Sequence, residues 1–292
     1  MLSRRIVTTA VFIPIFIVGV AIEWPGQLII AGVVAFCSVW GLSEFFNLAQ
    51  RIGAHPPRLW IYFSVIVFPF VVHLRPPAEF GLGWTMGWGG IVVLGTLSAI
   101  LFFGRVERAW ETILASITGL VYIPLPMLIG QVMRQWEHGG WFLVFAFATT
   151  WLSDTGAFFG GRRFGRHKMA PVISPAKTWE GLLSGALVSM IGVLAIGGIQ
   201  YLIMMQGNGG PGFFWTEGNF WDVVRLSLVA VLLVGTGVVG DLAESVLKRD
   251  LGVKDSGSDL TGHGGFLDIM DSLLVNLPVL FVYALVFEEF SA

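Results

Sequence analysis

The chain has 292 residues, of which 55% are hydrophobic and 12% charged, and its mean hydropathy is +0.79. A soluble domain carries about a quarter of its residues as charges, so this composition excludes an ordinary water-soluble fold and points to one that faces lipid. The formal charge of −2 shows no overall bias toward nucleic acid, and the single cysteine, Cys37, excludes an intrachain disulfide and a cysteine-rich zinc site.

Apolar runs near the roughly 20 residues that a helix needs to cross hydrocarbon lie at about 6–22, 28–48, 59–74, 82–103, 112–133, 141–159, 182–205, 223–247 and 270–287. The fold predicted is therefore all-α, a polytopic integral membrane bundle of about nine transmembrane helices. The third run is short, and the fifth contains Pro124 and Pro126. Arg4 and Arg5 ahead of the first run resemble the start of a signal peptide, but Glu23-Trp24-Pro25-Gly26-Gln27 offers no small-residue cleavage site, so the run is read as a retained first span. Placing the N-terminus in the cytoplasm puts 14 of the 17 lysines and arginines inside and leaves Arg75, Arg134 and Arg225 outside. Eight or ten spans would break that alternation, so nine spans with the N-terminus in and the C-terminus out are expected.

Polar residues divide the chain in two. Residues 1–140, with about five spans, have short loops and no polar cluster beyond flanking arginines, and read as a transmembrane scaffold. Residues 141–292 carry two cytoplasmic loops dense in charge, glycine and hydroxyl groups, and read as the catalytic region. Between those loops, residues 206–222 are rich in glycine and aromatics, which suit the opposite membrane interface.

The first loop is reached through Asp154, which precedes the apolar Ala157-Phe158-Phe159 and so sits a turn or two inside its span. A carboxylate there costs several kcal/mol unless something pairs with it, which makes it a functional candidate; a structural pair with a neighbouring helix is the alternative. Arg162, Arg163, Arg166 and Lys168 follow, suited both to topology and to anionic headgroups. Ser174-Pro175-Ala176-Lys177 then reads as the opening of the next helix, with Ser174 as cap and proline in the first turn. Free amides at such a start, with Lys177 beside them, would suit a phosphate.

The second loop begins at the end of the eighth run. If that run stays helical, Asp241, Glu244, Ser245 and Lys248 share one face. At the start of the ninth run Asp268 and Asp271 share another, which Ser272 extends. Three carboxylates from two helix ends form a hard oxygen set of the kind Mg²⁺ prefers. His263, within Gly262-His263-Gly264-Gly265, lies where glycine lets the backbone come close to a ligand. Together these features describe phosphoryl or nucleotidyl transfer onto a lipid.

The stretch from Ser245 to Asp271 resembles the phosphatidate cytidylyltransferases, also called CDP-diacylglycerol synthases. Their signature reads approximately S-x-x-K-R-x4-K-D-x-G-x2-L-P-x-H-G-G-x-x-D-R-x-D. This chain supplies Ser245, Lys248, Arg249, Lys254, Asp255, Gly257, Leu260, His263, Gly264, Gly265, Asp268 and Asp271 at those spacings. The likeness extends upstream to Asp154, the run from Gly161, and Ser174-Pro175-x-Lys177-Thr178-x-Glu180-Gly181. It departs at Thr261, Ile269 and Ala176, where the family usually has proline, arginine and lysine.

The resemblance implies transfer of the cytidylyl group of CTP to phosphatidate, giving CDP-diacylglycerol and pyrophosphate in phospholipid biosynthesis. It implies catalytic roles for Asp241, Asp268, Lys248 and His263, with Asp241, Asp268 and Asp271 as metal ligands. Substrate contacts would come from Lys177, Ser174, Thr178, Arg249, Ser245, Lys254 and Asp154. The cofactor implied is Mg²⁺, with room for a second ion, divalent or monovalent. The expected partners are CTP, phosphatidate and the lipid bilayer, with a homodimer allowed and no nucleic acid. The expected location is the inner membrane with the active site toward the cytoplasm. Rival readings are a CTP-dependent polyprenol or lipid-alcohol kinase, a CDP-archaeol-type synthase and an ion-coupled transporter.

Overall fold

The computed structural model describes residues 17–20, 22, 25–74, 82–103, 107–136, 139–206, 219–257 and 265–288. In chain order its elements are α1 (Gly26–Ala49), α2 (Arg58–His73), α3 (Leu82–Phe103), α4 (Ala109–Tyr122), α5 (Pro124–Arg134), α6 (Gly139–Phe164), a hairpin of β1 (Lys168–Ala170) and β2 (Ser174–Thr178), α7 (Trp179–Gln206), α8 (Phe220–Asp250) and α9 (Leu267–Glu288). Helices dominate because backbone amides in lipid have no water to bond to and must be satisfied within their own segment.

Among the described residues six helical segments are long and apolar enough to cross a membrane: Gly26–Ile52, Ala109–Arg134, Gly139–Phe164, Trp179–Ile203, Phe220–Asp250 and Leu267–Val286. Two shorter apolar helices, Arg58–His73 and Gly87–Phe102, accompany them. These eight fall on eight of the predicted runs, and the run at 6–22 lies mostly outside the described residues. Leu183, Leu187, Ile191 and Leu202 of α7 are each more than half exposed, as lipid-facing side chains are. The molecule is a multi-pass α-helical membrane protein. The run predicted as one fifth span is two helices. Pro124 has no amide to donate one turn back and its ring crowds the preceding turn, so α4 ends at Tyr122 and α5 begins on the proline.

The chain divides into two compact units. The first comprises Met1–Gly140 with Leu247–Met270. In its core Leu42 and Phe46 of α1 are fully buried. A Cβ on Gly119 of α4 would lie 2.9 Å from Phe46 and 3.1 Å from Leu42, so the bare backbone there lets α4 close on α1. Pairing between α5 and α2 is polar as well as apolar. Gln131 and Gln135 donate to the carbonyls of Pro69 and Val72 at 2.6 and 3.0 Å.

The second unit comprises Trp141–Val246 with Asp271–Ala292. Its α6 and α7 meet along a seam of small residues. A Cβ on Gly185 would lie 2.6 Å from the Ser153 carbonyl, and one on Gly156 would lie 2.9 Å from the Cα of Gly185. Such seams let membrane helices approach closely. Deeper in the unit Asn276 of α9 is fully buried. It donates to Thr150 Oγ1 of α6 at 2.9 Å, and its carbonyl accepts from Thr236 Oγ1 of α8 at 2.8 Å.

Candidate active site

In the second unit the hairpin delivers the chemistry. Strands β1 and β2 pair antiparallel, Lys168 with Thr178 and Ala170 with Ser174. The expectation that Ser174 caps the following helix is corrected here: residues 174–178 are extended, and α7 starts at Trp179. Thr178 takes the capping role instead, its hydroxyl accepting the Gly181 amide at 3.1 Å. The competing chemistry is the pairing of β2 with β1, which holds Ser174 and Pro175 out of the helix. Glu180 secures the hairpin by accepting the amides of Arg166 and His167 and meeting the His167 ring at 2.5 Å.

Lys177, the penultimate residue of β2, thereby reaches α8. Its Nζ lies 2.7 Å from Asp241 Oδ2, with the two side chains only 19% and 35% exposed. The other oxygen of Asp241 accepts the Ser245 hydroxyl at 3.3 Å, one helical turn on. Asp154 of α6 and Asp271 of α9 lie within the electrostatic field of Asp241, and Lys177 acts on both. Asp271 is buried and accepts the amide of Ser272. Lys177 is paired with Asp241 alone, and Asp154 and Asp271 add negative charge in its neighbourhood. Among the described residues no three carboxylate, imidazole or thiolate groups are gathered as a ready-made metal cluster.

A cavity of about 740 Å³ opens on this group. Its lining includes the polar Arg162, Lys168, Ser174, Lys177, Thr178 and Asp241 together with the apolar Ala157, Phe158, Leu182 and Val238. Phe158 of this lining is 60% exposed. Ala176, where a lysine was expected from the resemblance, lines the cavity without adding charge.

In the first unit the end of α8 and the start of α9 hold the remaining predicted residues. Lys248 forms an ion pair with Asp268. The other oxygen of Asp268 accepts the Gly265 amide at 2.6 Å, the Ser256 amide at 3.0 Å and the Ser256 hydroxyl at 3.1 Å. Arg249 donates to the Val253 carbonyl at 3.2 Å, and Lys254 is exposed. Ile269 is 39% exposed. His263 and Thr261 lie outside the described residues.

One residue escapes the sequence reading. Glu44 of α1 is buried, and its carboxylate accepts the amides of Phe266 and Leu267 at 2.9 and 3.1 Å. This contact ties the N-terminal part of the chain, read as scaffold, to the segment at residues 266–267. The signal that finds it is the one applied to Asp154, a lone carboxylate within an apolar run.

A family model described as the cytidylyltransferase family matches residues 3–287. The chain is 33% identical over 292 residues to the phosphatidate cytidylyltransferase of Brucella suis biovar 1, covering 99% of this chain and 95% of that protein. It is 29% identical over 282 residues to the protein of that name from Staphylococcus aureus strain COL, covering 94% of each. With the one from Haemophilus influenzae strain Rd it shares 27% identity over 299 residues, covering 95% of this chain and 96% of the relative.

Proposed function

The chain belongs to the cytidylyltransferase family, and from that premise we propose that it transfers the cytidylyl group of CTP to the phosphate of phosphatidate, releasing pyrophosphate and leaving CDP-diacylglycerol in the membrane. The observation that carries this reading is the Lys177–Asp241 pair in a cavity lined by both cationic and apolar side chains.

The chemistry asks little of a general base. A phosphate monoester has a second pKa of about 6, so the phosphatidate oxygen is largely ionised near neutral pH. That oxygen bonds to the α-phosphorus of CTP as the bond to the β-phosphate oxygen breaks, and the electron pair leaves with pyrophosphate. Catalysis then rests on positioning and on neutralising phosphate charge. Arg162, Lys168 and Lys177 supply cationic groups on the cavity lining, and the start of α7 adds the partial positive charge of a helix N-terminus. Phe158 and Leu182 give an acyl chain an apolar surface continuous with the bilayer.

Asp154 and Asp241, which line the cavity, and the buried Asp271 are hard oxygen donors of the kind Mg²⁺ takes. Asp241 and Asp271 would hold the ion in this unit, and Asp268, Lys248, Arg249, Lys254 and His263 keep the roles that the resemblance assigns. When bound, the metal neutralises phosphate charge and orients the reacting phosphoryl group. A second ion, divalent or monovalent, belongs to the same reading. Nine spans with the N-terminus in the cytoplasm complete it, supported by 14 of 17 basic residues falling on one side. The active site then faces the cytoplasm from the inner membrane.

Incubating the purified protein with phosphatidate and α-labelled CTP tests the reaction. Label in the lipid fraction is the expected result. Label only in CDP would indicate a lipid kinase, and no turnover would favour a transporter.

A further inference from the structure

Glu44 sits within the apolar run of α1, 7% exposed, yet all four lone-pair directions of its carboxylate are used. Oε1 accepts the Trp40 indole at 3.0 Å and the Phe266 amide at 2.9 Å. Oε2 accepts the Leu267 amide at 3.1 Å and the Ser256 hydroxyl at 3.1 Å. Two of those donors are free amides at the start of α9, where a negative charge is stabilised by the helix dipole. A carboxylate from one helix therefore caps another far along the chain.

The surrounding backbone is fitted to it. A Cβ on Gly257 or on Gly265 would come within 2.5 Å of the Glu44 carboxylate, and one on Gly265 would also meet the Ser256 hydroxyl at 1.9 Å. The same Ser256 hydroxyl lies 3.1 Å from Asp268 Oδ2, so Glu44 and Asp268 share one donor. The amides of Ser256 and Gly265 bond Asp268 directly. Glu44 thus grips both segments that grip Asp268, and Asp268 in turn meets Lys248.

We propose that Glu44 is a positioning residue for the transfer reaction: it fixes Ser256, Gly265 and the start of α9 so that Asp268 is held toward Lys248. The proposal rests on the cytidylyl-transfer reading for its consequence in turnover. Its structural half does not.

Glu44→Gln keeps the size and removes one acceptor oxygen, leaving an amide that cannot serve four donors. Hydrogen–deuterium exchange over residues 265–272 is expected to accelerate in this variant, and kcat/KM for CTP, counted per folded molecule, to fall by about 10–100-fold, the range for losing the support of an essential ligand. The decisive comparison uses Asp268→Asn as background. A residue acting through Asp268 adds little to the loss already present there. A merely structural residue lowers both backgrounds by the same factor, and that result overturns the proposal. So does wild-type protection of residues 265–272 in Glu44→Gln. Should Glu44→Gln not fold, Glu44→Asp, which keeps the charge but falls a methylene short, carries the same measurements. If the wild-type chain transfers no label, the cytidylyl-transfer reading fails, while exchange in the Glu44 variants still decides whether this side chain holds the Asp268 segment.

Discussion

Lys177 meets Asp241 at 2.7 Å where Asp154 and Asp271 add two further carboxylates. Lys177→Met would leave those charges facing one another and take a cation from the cavity wall. A charge-assisted contact contributes about 1.5–3 kcal/mol, so kcat/KM should fall on the order of 10²-fold; near-wild-type kinetics would remove Lys177 from the site. Asp241→Asn should cost several orders of magnitude in turnover and abolish stimulation by Mg²⁺, measured with the labelled-CTP assay on folded protein. Ile269→Arg tests a departure from the family pattern. Because Ile269 is 39% exposed, the longer side chain has room, and an added phosphate contact should raise kcat/KM about tenfold. Unchanged thermal stability with no gain would show that other cations already cover that charge. Asp154 and Asp241 stand out in the sequence because charge inside an apolar run is costly, and Lys177 because it follows the cap-like Ser174-Pro175. Glu44 carries the same signal, yet no motif surrounds it, and three of its four donors come from residues more than 200 positions away.

The elements are legible where the bilayer dictates them and obscure where a local contest decides. Apolar length alone predicts the eight runs that become helices. Residues 167–178 are different, because the cap-like Ser174-Pro175 favours an early helix start while pairing between strands of three and five residues favours the hairpin. Nothing in so short a stretch announces that pairing. The α6–α7 seam is likewise hidden, since glycine in a membrane run says nothing of which neighbour it faces. Two substitutions in α7 separate packing from propensity. A Cβ on Gly185 would lie 2.6 Å from the Ser153 carbonyl, a backbone atom that cannot swing away, whereas one on Gly198 would meet nothing within 4 Å. Gly185→Ala should therefore destabilise by about 1–3 kcal/mol. Gly198→Ala should be neutral or stabilise by up to about 1 kcal/mol through helix propensity. Thermal unfolding in one detergent compares them directly, and equal shifts would show that the seam is not tight.

At the scale of the whole molecule the charge count is a statement about sidedness that the folded chain now offers better places to test. In a Cys37-free background, cysteines at Val172 and Leu59, each 89% exposed, should react with an impermeant reagent from the cytoplasmic side, and one at Phe220, 70% exposed, from the other. Labelling of positions 172 and 220 from the same side would end the nine-span arrangement. In the folded chain residues 247–270 group with the N-terminal 140 rather than with their sequence neighbours. Motif spacing nominates residues, whereas grouping depends on contacts between distant segments that leave no local pattern. The buried bonds of Asn276 to Thr150 and Thr236 extend this to biogenesis. A carboxamide alone in hydrocarbon lacks partners, and each unmet polar group costs several kcal/mol. Both threonines precede Asn276 in the chain, and a ribosome delivers a protein from its N-terminus. When the last helix leaves the translocation channel, the hydroxyls that receive it are therefore already in the bilayer, and order of synthesis becomes order of assembly.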